Sequence, residues 1–225
     1  MDTNQVANSS AALDSERHAS NLELFLDLVF VFAVTQIATL LASDPSWSGT
    51  GKAALVAFLV WWQWSQFTWA GAATDLQNHA GARSIVLILV PLTLMTAVGI
   101  PDVYGKFAPW FAWFYLGVQF AVLTLQGSFT RSRAEFWRSF VRYAAVGCLS
   151  PTLVVIGSYA GKNQVWWWAA AAAFLVVAAF RGAGGSWAIN PTHFAERHAL
   201  FTIVALGEVV VAVGPRPTQS PRSTA

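Results

Sequence analysis

Of the 225 residues, 56% are hydrophobic and 11% are charged, whereas a soluble domain carries about 25% charged residues. The apolar residues form long blocks rather than short alternating runs, which excludes an ordinary soluble domain and points to membrane-spanning helices. A net charge of +2 and a lone Cys148 leave no basis for an intrachain disulfide or a cysteine-based metal site. Neither a nucleic-acid partner nor a cofactor is expected, and the bilayer itself is the first partner.

Residues 1–19 form a polar tail containing Asp2, Asp14, Glu16 and Arg17. No cleavable signal is expected there, because the apolar run that follows is too long for an h-region, so the first helix should insert as an uncleaved anchor. Ser20 and Glu23 have capping-box spacing, each side chain positioned to satisfy the other's backbone N–H. The first helix then runs to about Leu41 and ends at Asp44-Pro45. From Glu23 to Leu41 is about 28 Å at 1.5 Å per residue, enough to cross a hydrocarbon core.

Further helices are expected over about 52–72, with the Trp61-Trp62-Gln63-Trp64 cluster, and over 83–100, broken in register by Pro91 and stopped by Pro101. Others follow over 109–129, over 137–160 with a kink at Pro151, and from Trp166 to Arg181. Gly182-Ala183-Gly184-Gly185 reads as a connector with no strand before it and no nucleotide-loop spacing. Asn190-Pro191 places a cap and a first-position proline at the start of a seventh helix ending near Gly214. The expected organisation is therefore a tail (1–19), an all-α, polytopic transmembrane domain of about seven helices (20–214) and a Pro/Arg/Ser-rich tail (215–225).

Basic residues accumulate in cytoplasmic loops. The loop 131–142 carries Arg131, Arg133, Arg138 and Arg142, and Arg17, Arg83, Arg181 and Arg197 fall on the same side. The other side holds Lys52, Lys106 and Lys162 with Arg216 and Arg222. This distribution puts the N-terminus in the cytoplasm. The arginine loop can alternatively contact anionic lipid headgroups.

Two stretches carry ionisable residues into apolar surroundings. In the first helix Glu23 and Asp27 share a stripe with Phe30 and Val34, and a charge in a spanning helix costs about 3 kcal/mol. Capping can account for Glu23. Asp27 lies one turn too deep for that and needs a partner from elsewhere, with Arg197 or His198 as candidates. The seventh helix opens on Glu196-Arg197-His198 and carries Glu208 three turns beyond Arg197. With an odd number of spans between them, the first and seventh helices run in the same direction. Asp27 then lies level with Glu196–His198, and Glu208 lies mid-membrane, level with Thr35 and Gln36. Glu196, Arg197 and His198 can line a pathway or stand solvated at a helix mouth. Glu208 has no such simple explanation.

Both stretches resemble signatures of the low temperature requirement A family of bacterial membrane proteins. Glu23-Leu24-Phe25-Leu26-Asp27-Leu28-Val29-Phe30-Val31-Phe32-Ala33 is similar to the family's ELFFDLVFVFA-type opening, with Leu26 where Phe is usual. His193-Phe194-Ala195-Glu196-Arg197, Leu200-Phe201 and Leu206-Gly207-Glu208 are similar to its second signature, with Ala199 where Gly is frequent. Ile100-Pro101-Asp102 stands between the two, and the resemblance covers residues 18–214. It implies a multi-pass protein of the bacterial inner membrane without assigning an activity. Family members continue with more spans, so the chain is expected to be an incomplete member.

No Ser/His/Asp set, HExxH, Walker motif or Cys/His metal spacing occurs, so no enzyme activity and no catalytic or metal residue is expected. Two functional readings remain. In one, Glu23, Asp27, Glu196, Arg197, His198 and Glu208 line a pathway for a small ion, proton or solute. In the other, the same residues form a buried polar network between helices. Oligomeric state is not legible in the sequence.

Overall fold

The computed structural model describes residues 21–72, 80–130, 134–180 and 191–213. Within them the regular structure is entirely helical: α1 (Asn21–Ser43), α2 (Trp47–Ala72), α3 (Ala80–Val98), α4 (Ala108–Thr130), α5 (Ala134–Ser158), α6 (Gln164–Phe180) and α7 (Pro191–Val213), with single 3-10 turns at Ile100–Asp102 and Gly161–Asn163. This is an all-α, polytopic membrane fold. The expected capping box, the Asn190 cap and both tails lie outside the described residues.

Helix ends follow local chemistry more closely than they follow the apolar blocks. α2 begins at Trp47, five residues before the position that hydropathy suggests, because Ser46 caps it. The Ser46 hydroxyl accepts the Gly49 N–H at 3.0 Å, which satisfies one of the free donors of the first turn. The same turn is closed by Asp44, whose carboxylate accepts the Ser46 N–H at 3.3 Å. Hydrogen bonds from Ser46 hold the Asp44 carboxyl below its ordinary range. A Cβ on Gly49 would stand 2.0 Å from the Asp44 carbonyl oxygen, so the turn requires glycine there.

Pro91 does not break α3, and Pro151 lies within a continuous α5. Proline removes one helical hydrogen bond, but a spanning helix tolerates the loss when neighbouring helices hold its course. The expected stop at Pro101 is met by the 3-10 turn at Ile100–Asp102.

Packing places α2 at the centre. It touches α1, α4, α6 and α7, while the remaining helices form an arc around it in the order α7, α1, α3, α4, α5, α6, each packed on the next. This explains a feature of the hydropathy. α1, α3, α4 and α6 are each long and apolar enough to cross a membrane, and α5 and α7 hold shorter apolar stretches (Tyr143–Ser158 and His198–Val210). α2 is rich in Trp, Gln, Ser and Gly. A helix walled in by protein need not be uniformly apolar, because its polar groups meet other helices and not lipid.

The contacts of α2 show this directly. The Gln63 amide donates to the Tyr115 carbonyl, and the Tyr115 hydroxyl donates back to the Leu59 carbonyl at 3.3 Å. Tyr143 of α5 donates to the Gln66 amide oxygen. At the end where α1 gives way to α2, Tyr104, Phe111, Tyr115 and Trp168 pack as a chain of rings. Burial pushes the Tyr104 hydroxyl well above its ordinary range. The outward faces carry Leu24, Phe25, Leu28, Leu87, Ile88 and Phe120, as contact with acyl chains requires.

α5 and α6 approach closely at Gly157, where an added Cβ would lie 2.6 Å from Trp167 Cβ and 2.7 Å from Trp168 Cδ1. The gap admits Trp168, whose indole N–H reaches the Val154 carbonyl at 2.9 Å. Gly157→Ala is expected to lower stability by about 1–3 kcal/mol through overpacking. Gly51→Ala, at a position with nothing within 4 Å, should be neutral or stabilising by up to ~1 kcal/mol. Thermal denaturation of both variants in detergent checks the contrast.

Candidate functional site

α1 is gripped by α2, α3 and α7, and its most buried line runs through Leu26, Phe30, Ala33 and Ile37. Asp27 sits on the flank of that line, half-buried, where it meets α2. Its carboxylate accepts the Trp64 indole N–H at 2.9 Å. Trp64 is 1% exposed, so the donor is fixed by the packing of the central helix. A charged hydrogen bond of this kind satisfies the carboxylate without an aqueous partner.

The same indole is packed by α7. His198 sits against it at a centroid distance of 4.7 Å and an interplanar angle of 64°, and Phe201 stacks on it at 4.0 Å and 18°. His198 and Phe201 are three residues apart and therefore share a face of α7. The His198 ring nitrogen Nε2 also lies 3.3 Å from the Ser65 hydroxyl. Trp64 thus joins Asp27 of α1 to His198 of α7, a connection the sequence pattern did not reveal.

One level further along, the Thr35 hydroxyl donates to Glu208 Oε2 at 3.0 Å. The depth match expected between Thr35 and Glu208 is met, and α1 and α7 run in the same direction. Glu208 is half-buried, and no described residue of α7 between His198 and Val210 is fully buried. The Val31 carbonyl lies 3.3 Å from the same hydroxyl and competes with Glu208 for its single proton.

The α1–α7 seam therefore has two polar levels: Asp27, Trp64, Ser65 and His198 at one, and Thr35 with Glu208 at the next. They are separated by eight residues on α1 and ten on α7, or roughly 12–15 Å at 1.5 Å per residue. Glu23, Glu196 and Arg197 belong to the same two helices by backbone, but their side chains lie outside the described set. The Trp61–Trp64 cluster divides: Trp64 is interior packing, while Trp61 is 40% exposed. Among the described residues no group of three or more His, Cys, Asp or Glu is placed to hold a metal ion.

The sequence pattern marks neither Ser65 nor Phe201 nor the Trp64 indole as a part of this seam. A usable signal existed. Gln63, Ser65 and Gln66 interrupt an apolar block, and polar residues on successive positions of a spanning helix imply polar neighbours on more than one side.

Asp27 lies in the first signature stretch, His198 and Glu208 lie in the second, and Thr35 stands two residues beyond the first. The family model described as bacterial low temperature requirement A protein (LtrA) matches residues 18–224. The chain belongs to the LtrA family. An uncharacterized protein of Rhizobium meliloti (strain 1021) is 30% identical over 210 residues, covering 87% of this chain and 50% of that protein. This LtrA chain therefore spans about half the length of the curated relative it matches. No solved structure matches it.

The geometry sets different costs for the two levels. In this LtrA protein, Trp64→Phe leaves Asp27 without the indole donor and should cost about 1–3 kcal/mol. Thr35→Val and Glu208→Gln should show a coupling of about 0.5–1.5 kcal/mol in a double-mutant cycle. Unfolding of the single and double variants in detergent measures both.

Proposed function

We propose that this LtrA chain conducts or transports a small ion or solute along the α1–α7 seam, without enzymatic chemistry. We place it in the bacterial inner membrane with its N-terminus in the cytoplasm. The observation that carries the reading is the alignment of two ionisable levels, Asp27 with His198 and Thr35 with Glu208, on one seam between two helices of like direction. Carboxylates and imidazoles at successive depths are what a charged species needs when it leaves water. The interval of roughly 12–15 Å is too long for direct transfer, so water or side-chain movement must join the levels.

The orientation rests on Arg131 and Arg133 between α4 and α5 and on Arg138 and Arg142, which the structure places within α5 and not in the loop expected over 131–142. A second reading has its own support. Asp27 and Glu208 each accept an interhelical hydrogen bond, so the residues can act as a polar lock that holds α7 on α1 and α2.

Flux separates the two. Reconstituted in proteoliposomes and screened against monovalent ions and small solutes, the wild-type chain is expected to carry at least one of them. Asp27→Asn and Glu208→Gln should each reduce that flux about tenfold or more, with folded protein still present. Unchanged flux in both variants, with lowered thermal stability, would establish the polar lock and defeat the pathway.

A further inference from the structure

We propose that the species handled at the first level is the proton, that His198 is the group that binds it, and that Trp64 positions it by coupling the imidazole to Asp27. The proposal rests on the pathway reading and names its ligand.

Three contacts converge on one immobile indole. Its N–H is donated to Asp27 Oδ1 at 2.9 Å, the His198 ring stands 4.7 Å from it, and Phe201 stacks on it at 4.0 Å. An imidazolium within about 6 Å of an indole is attracted by the ring's electron-rich face. Donation of the N–H to a carboxylate pushes electron density into that ring and strengthens the attraction. The Asp27 charge thus reaches His198 through the indole, and a positive charge at this depth acquires a counter-charge that lipid does not provide.

Ser65 fits the same role. A hydroxyl both donates and accepts. At 3.3 Å from His198 Nε2 it can donate to the neutral ring nitrogen or accept from the protonated one, so the proton comes and goes without rearrangement of heavy atoms. Imidazole is also the side chain that exchanges a proton near neutral pH. Uptake forms one N–H bond on the ring and breaks one O–H bond of a hydronium at the seam's mouth, leaving a neutral water; release reverses both.

The groups that face His198 can be named helix by helix. Among the described side chains, α1 presents Asp27 through the indole, and α2 presents Trp64 and Ser65 with Trp61 at 6.5 Å. On α7 itself Glu208 lies ten residues further on. Asp27 is therefore an acidic group coupled to His198 through the indole, and Glu196 and Arg197 adjoin His198 in the sequence.

The test uses the whole chain in proteoliposomes containing an internal pH dye, with a potassium diffusion potential as the driving force. Sodium and potassium fluxes are read separately. Wild-type protein is expected to acidify the lumen at a rate that rises as pH falls through neutrality. His198→Gln should lose at least tenfold of that rate together with its pH dependence. Trp64→Phe keeps a ring but loses the N–H donor that couples Asp27 to His198, so its rate of proton movement should fall roughly threefold. Trp113→Phe, whose indole contacts Tyr159 instead, should match wild type.

A His198→Gln profile identical to wild type overturns the assignment. If that variant does not fold, a Trp64→Phe profile superimposable on wild type overturns it equally. Sodium or potassium flux without proton movement overturns the proton assignment while leaving the pathway reading standing, and a wild-type chain that moves nothing overturns both.

Discussion

A carboxylate carried below the first turn of a bilayer helix must be given a donor by another helix, and most of this structure can be understood from how Asp27 receives one. An unpaired charge withdrawn from water would cost several kcal/mol. The donor is the indole of Trp64, and Trp64 is available only because α2 stands in the middle of the bundle. The central position of α2 in turn calls for partners for its polar groups, although the buried Thr68 hydroxyl has none among the described residues. Gln63 is served by α4, Gln66 by α5, and Ser65 by α7.

The same requirement accounts for α7. This helix lies at one end of the arc and has no fully buried residue between His198 and Val210, so apolar burial alone holds it weakly. Its contacts with the rest are specific: the stack of Phe201 on Trp64, the His198–Ser65 contact and the Thr35–Glu208 hydrogen bond. Polar contacts of this kind are worth about 0.6 kcal/mol on average in membranes, enough to fix register when several act together. The residues that hold α7 in place are therefore those that would meet a charged species moving along the seam. Structural and transport roles draw on one set of side chains, which is why stability and flux must be measured together.

At the opposite end, the seal is aromatic rather than polar. Tyr104, Phe111, Tyr115 and Trp168 meet around α2, α4 and α6, and Gly157 leaves the space that Trp168 fills. Asp27, His198 and Glu208 thus lie on the α1 and α7 side of α2, while the side facing α4 and α6 is closed by rings and neutral amides, with the Lys52 ammonium over the Tyr104 ring.

Much of this was legible in the amino-acid order, for a physical reason. Apolar blocks of about twenty residues can only be spanning helices, so the membrane class and the helix positions follow from composition and spacing. The like direction of α1 and α7 and the level match of Thr35 with Glu208 follow from counting spans and residues. Two signature stretches carried the family. What required the tertiary structure was lateral position. Hydropathy marks depth along a helix axis but not which helix is central, and α2, the least convincing span by composition, is the one surrounded by the others. Because a tryptophan among apolar residues serves packing as readily as hydrogen bonding, nothing in the sequence marks the Trp64 N–H as a donor for Asp27. The helix starts differed for a local reason, since Ser46 caps α2 ahead of its apolar block. Sequence alone determined that two carboxylates lie on apolar helices and which residues share a level; only the packing of α1, α2 and α7 decided that one indole would stand between Asp27 and His198.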